Sequence, residues 1–231
     1  RCEGNRHLVT SLLCSLLDRH GFKVEKGVAQ MPTAFVAEWG KGAPLIGFNC
    51  EYDALPGLSQ TEKETQAPVV AGAPGHGCGH NLLGTGALAA AVVIRHWLEA
   101  NGKKGTIRYY GCPAEEILSG KTFMARDGVF DDLDAALNFH PGSVNTVDKG
   151  SAVGLTDIKF RFHGRTAHAG GSPHLGRSAL DAVELMNVGV NYLREHVTKY
   201  VRLHYTITHG GDLPNVVPAE ADVWYFIRAH K

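Results

Sequence analysis

The pattern of apolar and polar residues divides the first two thirds of the chain into helices and strands. Leucines spaced three and four residues apart predict an amphipathic helix at residues 7–20. A small-residue segment at 82–100 predicts a buried helix, and a shorter helix is expected at 122–128. Short apolar runs predict strands at 33–39, 44–50, 106–111 and 135–139. Strands and helices in this alternation are typical of an α/β unit with a mostly parallel sheet.

The pattern changes near Gly150. Strands in which polar and apolar residues alternate are predicted at 157–162, 202–208 and 221–228, with an amphipathic helix at 177–196. We therefore expect two domains, residues 1–152 and a smaller α+β domain at 153–231 inserted into the first. Because the chain begins on a helix and stops directly after a strand, we expect it to be incomplete at both ends.

Composition narrows the classes of function. Lys plus Arg and Asp plus Glu both number 23, so the basic excess typical of nucleic-acid or membrane-surface binders is missing. The longest apolar stretch, residues 87–94, is far shorter than the roughly 20 residues of a membrane span. Five scattered cysteines argue against a disulfide scaffold. We therefore expect a cytoplasmic protein with neither a nucleic-acid nor a membrane partner.

The segment 75–80 is the first candidate for chemistry. Cys78 and His80 follow a loop rich in Gly and Pro and precede the long predicted helix. Thiolate and imidazole are good ligands for a borderline-soft divalent metal, and the glycines allow both side chains to face one point. Two alternatives stay open: a buried free cysteine beside a loop histidine, and a cysteine nucleophile paired with His80.

Three further strand ends carry side chains of the same kind. Glu115 and Glu116 follow one predicted strand, His140 follows another, and Asp53 follows a third. Each taken alone is more typical of a surface turn. Their convergence at the carboxyl ends of strands instead favours a catalytic metal site. One glutamate of the pair would bind metal while its neighbour activates a water, and Asp53 would orient a ligand histidine.

Six motifs occur in order along the chain, at 47–58 (GFNCEYDALPGL), 75–86 (GHGCGHNLLGTG), 110–116 (YGCPAEE), 119–124 (SGKTFM), 168–186 (HAGGSPHLGRSALDAVELM) and 214–218 (PNVVP). In these motifs the chain resembles the co-catalytic metallopeptidases and amidohydrolases that include aminoacylases, glutamate carboxypeptidases and plant auxin-conjugate hydrolases. The branch with a Cys-Gly-His metal motif is the most similar. The resemblance implies a metal-dependent amidohydrolase whose substrate is a small amide with a free carboxylate.

The resemblance also assigns roles to individual residues and implies two divalent metal ions, zinc or manganese. The implied metal ligands are Cys78, His80, Glu116 and His140. Glu115 is the implied general base, and Asp53 supports a ligand, whereas His76 is only a loop residue. The second domain would be a lid through which the protein forms a homodimer or heterodimer. The resemblance implies that three polar residues of this lid bind substrate or stabilise the oxyanion: His168, Asn215 and Arg228.

One departure keeps a different class of function open. The last metal-binding histidine of the family lies beyond the lid, and this chain ends before that position. A non-catalytic subunit or binding module that retains the fold is therefore the alternative to an enzyme.

Overall fold

The structure, a computed structural model, describes residues 3–117, 119–147, 150 and 152–230. It divides into two compact units, Arg1–Asn145 and Thr146–Lys231. This division falls a few residues before the boundary expected at 152/153. The assignment of the two units as a catalytic domain and a lid stays a prediction.

The first unit is a layered α/β unit. Its elements are α1 (Glu3–Arg19), β1 (Lys23–Lys26), β2 (Phe35–Lys41), β3 (Leu45–Glu51), α2 (His80–Ala100), β4 (Gly105–Cys112), α3 (Gly120–Arg126) and β5 (Ala135–Leu137). The strands form one sheet in the order β1-β2-β4-β3-β5. The helices and four of the strands lie where the hydrophobic pattern predicts them, within a few residues at each end.

The sheet is mixed, whereas the sequence pattern predicted a mostly parallel one. Strand β3 pairs in parallel with β4 and β5, but β2 pairs antiparallel with β4 and with β1. A parallel crossover needs a dozen or more residues. The link at 42–44 between β2 and β3 is too short for one, so the chain reverses direction there. Strand β1 was missed by sequence analysis because its four residues, KVEK, include a single apolar side chain.

Alternate residues of the central strands face opposite sides of the sheet, as the two-residue period of a strand requires. On one side the strand residues pack beneath α1 and α2, in a core that includes Phe35, Phe48, Cys50, Ile107, Tyr109, Leu17 and Ala91. On the other side Tyr110 and Cys112 pack against Met124 of α3. Burial on both faces fixes the register of β4, which places the residues that follow Cys112 at one edge of the unit.

Helix α2 is the longest apolar element. By length and composition it would suffice to cross a membrane. In the structure its buried residues, Leu83, Ala87 and Ala91 among them, face the sheet. That is how a core helix of an α/β unit behaves.

The second unit is a three-stranded antiparallel sheet with one helix against it. It contains β6 (Gly154–His163), α4 (Ala179–Leu193), β7 (Arg202–His209) and β8 (Glu220–Ala229), and the strand order is β6-β8-β7. Val183 of α4 packs on Val223 and Tyr225 of β8. The Ser178 hydroxyl accepts a hydrogen bond from the Asp181 amide and caps α4. The order strand, helix, strand, strand is the one that the sequence predicts.

Candidate metal centre

His80, the first residue of α2, is fully buried and oriented by Asp53. Its Nδ1 lies 3.0 Å from the backbone oxygen of Asp53 and 3.2 Å from the carboxylate oxygen Oδ1. Because both neighbours are acceptors, Nδ1 must carry the hydrogen. The Nε2 atom then presents a lone pair, and it has no hydrogen-bond partner among the described residues. This is the orienting role that sequence analysis assigned to Asp53.

Cys78 and His140 meet beside this imidazole. The Cys78 Sγ lies 3.3 Å from His140 Nε2, while His140 Nδ1 lies 2.9 Å from the backbone oxygen of Pro141. The rings of His80 and His140 are 5.9 Å apart, centroid to centroid, and nearly perpendicular. The potential ligand atoms of Cys78, His80 and His140 all lie within 4.8 Å of one another. Three of the four predicted ligands are therefore brought together.

Gly79 explains how the two segments approach so closely. Its φ angle is +79°, in the left-handed region that glycine adopts without strain. A Cβ atom at this position would lie only 2.9 Å from Cγ of Pro141. The glycine between Cys78 and His80 thus permits both the turn into α2 and the contact with the segment that carries His140.

Glu115 and Glu116 lie on a short 3₁₀ turn directly after β4. Glu115 Oε2 is 3.7 Å from His80 Nε2, and its side chain is 28% exposed. The Glu116 amide donates a 3.0 Å hydrogen bond to Asp53 Oδ2, which ties this turn to the His80 support. Glu116 Oε1 is buried and has no hydrogen-bond partner within the described chain. Glu115 thus lies beside His80 with part of its side chain exposed, a position that suits the predicted general base.

Sequence analysis missed a further carboxylate of the centre. Glu51, the last residue of β3, is buried, and its Oε2 lies 3.5 Å from His80 Nε2. Its other oxygen, Oε1, is paired with the Lys121 ammonium group. Potential ligand atoms of Glu51, His80 and Glu115 form a second group within 4.8 Å of one another. The available signal was its position at the end of a buried strand, two residues before Asp53.

Burial and negative charge raise the pKa of two groups at the centre, the Glu115 carboxyl and the Cys78 thiol. Burial raises the pKa of Glu115, and the Glu51 carboxylate raises it further, while Lys121 and His80 act in the opposite direction. Burial also raises the pKa of the Cys78 thiol, assisted by the charges of Glu116 and Glu115. Reactive cysteines are typically found in electropositive surroundings. The surroundings of Cys78 therefore disfavour the cysteine-nucleophile alternative.

The side chains of this centre fit a divalent metal. The buried atoms His80 Nε2 and Glu116 Oε1 have no hydrogen-bond partner on the described part of the chain. A buried polar atom without a hydrogen bond lowers the stability of the fold by about 1–3 kcal/mol. A cation would satisfy both. A donor set of thiol, imidazole and carboxylate suits zinc, and its nitrogen and oxygen donors also suit manganese.

The three site residues predicted in the second unit fall into two places within that unit. His168 and Val216 form a β-bridge, and the Ala169 amide donates to the Asn215 oxygen, so His168 and Asn215 lie on adjacent segments. Asn215 precedes the first residue of β8, whereas Arg228 is the last residue but one of that strand. A strand of ten residues is about 30 Å long at about 3.3 Å per residue. The structure does not bring Arg228 together with the other two inside this unit.

Comparison with known proteins agrees with the fold. The chain is 52% identical over 219 residues to a p-aminobenzoyl-glutamate hydrolase subunit of Escherichia coli, covering 94% of this chain and 46% of that protein. It is 34% identical to Xaa-Arg dipeptidase of Mus musculus, covering 86% and 44%. The chain thus spans about half the length of the curated relatives it matches.

Solved structures share the architecture at lower identity. The aminobenzoyl-glutamate utilization protein of Klebsiella pneumoniae matches with a TM-score of 0.66 at 22% identity, over 96% of this chain and 61% of that one. A dinuclear metal binding peptidase of Bacillus subtilis matches with a TM-score of 0.60 at 22% identity, over 96% and 58%. The sequence profile of one family matches residues 47–229. Since that match covers most of the chain, the protein belongs to peptidase family M20/M25/M40.

Proposed function

We propose that this chain is the metal-binding part and the lid of a metal-dependent amidohydrolase. The substrate would be an N-acyl amino acid or a dipeptide-like amide with a free carboxylate. p-Aminobenzoyl-glutamate is the first candidate, because the 52% identical relative is named for its hydrolysis. The observation that carries the proposal is the convergence of Cys78, His80 and His140, with Glu115 facing the same point.

The ligand set is proposed to hold two divalent metal ions, zinc or manganese, on Cys78, His80, Glu116 and His140. When bound, such metals lower the pKa of a water molecule and polarise a carbonyl group. Glu115 would take the proton from that water and later deliver it to the leaving amine nitrogen. Burial and the Glu51 charge raise the pKa of Glu115 in the metal-free chain, which supports its role as the group that takes up the proton.

His168 has the tautomer that an oxyanion donor needs. Its Nδ1 accepts hydrogen bonds from the amides of Gly170, at 3.1 Å, and Gly171, at 2.9 Å. The hydrogen of a neutral imidazole is then on Nε2, which is free to donate to the developing oxyanion.

Arg228 and Asn215 are proposed to bind the substrate carboxylate. Because Asn215 precedes the start of β8 and Arg228 lies near its end, we expect that one copy of this unit does not apply both to a single small substrate. A second subunit, identical or different, would supply one of them. This separation supports assembly through the lid as a homodimer or heterodimer.

A binding module without turnover is the less favoured interpretation. The two relatives described above are named as a hydrolase and a dipeptidase. The partly exposed Glu115 beside the ligand cluster is also a feature that binding alone does not require.

Metal content and hydrolysis of the intact protein test the proposal together. We expect about two zinc or manganese ions per chain by elemental analysis and hydrolysis of p-aminobenzoyl-glutamate or an N-acetyl amino acid. Chelation should abolish hydrolysis, and returning either metal should restore it. Undiminished hydrolysis by metal-free protein would contradict the proposal, as would metal-loaded protein that hydrolyses no amide of this class.

A further inference from the structure

Glu51 is a buried carboxylate with two different environments. Oε1 is paired with the Lys121 ammonium group, and Oε2 faces His80 Nε2 at 3.5 Å. Only 6% of its side chain is exposed. A buried charge must be paired, and Lys121 pairs with Oε1, which leaves Oε2 for a second partner.

The space on the other side is bordered by acceptors. Because His80 Nδ1 donates to Asp53, Nε2 of the neutral ring carries a lone pair, and the nearest carboxylate oxygens are Glu51 Oε2 and Glu115 Oε2. The separations of 3.5 and 3.7 Å exceed the roughly 2.7–3.2 Å of an N–H···O hydrogen bond. Nε2 is fully buried and has no hydrogen-bond partner among the described residues. Two carboxylate oxygens and a nitrogen lone pair at these distances repel one another, and a cation between them would relieve that repulsion.

Lys121 is not that cation, because its ammonium group is bound to Oε1, the other oxygen of the Glu51 carboxylate. Its effect is to hold the carboxylate plane so that Oε2 stays directed at His80. Lys121 is thus a positioning residue, and Glu51 is left with one oxygen available to a metal.

We infer that Glu51 is a further residue of the metal centre, whose Oε2 and the Nε2 of His80 flank one of the two metal positions. Carboxylate and imidazole are both ordinary ligands of zinc and manganese. The inference rests on the proposed function, because it requires that the intact protein binds divalent metal. It adds Glu51 to the four ligands that the family resemblance implies within this chain.

Metal affinity of the intact protein tests this role without relying on turnover. Metal-free wild type and Glu51→Gln would be titrated with zinc and with manganese against a competing chromophoric chelator. We expect Glu51→Gln to bind one of its two metals at least about tenfold more weakly, the low end of the losses seen at supporting residues. Glu38→Gln is the matched control, since Glu38 is also a strand glutamate paired with a cation, Arg108, and its affinity should equal that of wild type.

A double variant separates metal binding from support of the fold. If Glu51 served only to neutralise Lys121, then Glu51→Gln with Lys121→Met would leave no unpaired charge, and wild-type affinity would return. We expect the double variant to stay at least about tenfold weaker, with thermal unfolding close to that of wild type. The double variant also serves if Glu51→Gln alone fails to fold.

The outcomes distinguish this inference from the proposal beneath it. Wild type that binds neither zinc nor manganese would end the proposed function. Wild type that binds two metals, beside a Glu51→Gln variant of equal affinity, would overturn the role of Glu51 alone.

Discussion

The carboxylate of Asp53 joins two parts of the metal centre, since Oδ1 receives the Nδ1 hydrogen of His80 and Oδ2 receives the amide hydrogen of Glu116. Asp53 therefore fixes the tautomer of the His80 imidazole, through its backbone and side-chain oxygens, and holds the turn that carries the glutamate pair. Neither oxygen can be replaced by a donor without loss of one of these bonds.

The first prediction concerns Asp53→Asn. An asparagine has one acceptor oxygen where the native residue uses two, so either His80 or the Glu116 amide must face an NH₂ group. We expect metal affinity to fall by about 10- to 100-fold, measured by competitive titration. Asp134→Asn is the control, because Asp134 also accepts a backbone amide hydrogen, that of Leu45. Equal losses in both variants would mean that the effect is general destabilisation.

The second prediction separates the two glutamates. Glu115→Gln should lower kcat by about 10²- to 10⁴-fold, because the general base is lost, and should leave about two metals bound per chain. Glu116→Gln should instead lower metal content. Activity assays and elemental analysis of the same preparations check both variants. If Glu115→Gln lost metal and Glu116→Gln lost only activity, the roles of the two residues would be exchanged.

The third prediction uses thiol reactivity. Cys50 and Cys112 are fully buried, and burial raises the pKa of each thiol to about 12. Both should therefore resist iodoacetamide at pH 8, whereas the partly exposed Cys78 should be alkylated in metal-free protein. Bound metal should protect Cys78. Peptide mass spectrometry reads the sites, and alkylation of Cys78 that is indifferent to added zinc would argue against Cys78 as a ligand.

The fourth prediction concerns acid stability. A hydrogen bond from Arg108 lowers the pKa of Asp132 in the folded state. The stabilisation is therefore complete above the unfolded-state pKa and is lost as pH falls through the folded-state pKa. Since 56% of the Asp132 side chain is exposed, we expect a contribution below about 1 kcal/mol.

Denaturant unfolding between pH 5 and pH 2 checks this fourth prediction. Wild type should lose more stability over that range than Asp132→Asn. In an Arg108→Met background, Asp132→Asn should change the pH dependence little. A full pH-dependent difference in that background would show that Arg108 is not its source.

Local sequence pattern predicted most of the secondary structure because each long element has a clear apolar period. It placed α2, α4 and β4 within a few residues, and it failed at β1, where one apolar side chain carries no period. It also gave the sheet as mostly parallel. Strand direction depends on which strand lies between β2 and β3, and that is a tertiary property.

The candidate residues themselves were readable from the sequence, since Cys78, His80, His140 and Glu115 lie beside the ends of predicted strands and helices. Their distances were not, because His140 reaches Cys78 across 62 residues of chain and through the close contact of Gly79 with Pro141. Glu51 shows the difference most clearly. In sequence it is one more acid at a strand end, and only the folded chain sets one of its oxygens against Lys121 and the other against His80. The sequence determines which ligand and acid–base groups the chain contains, while the packing of sheet, helix and turn determines which of their atoms lie close enough to act together.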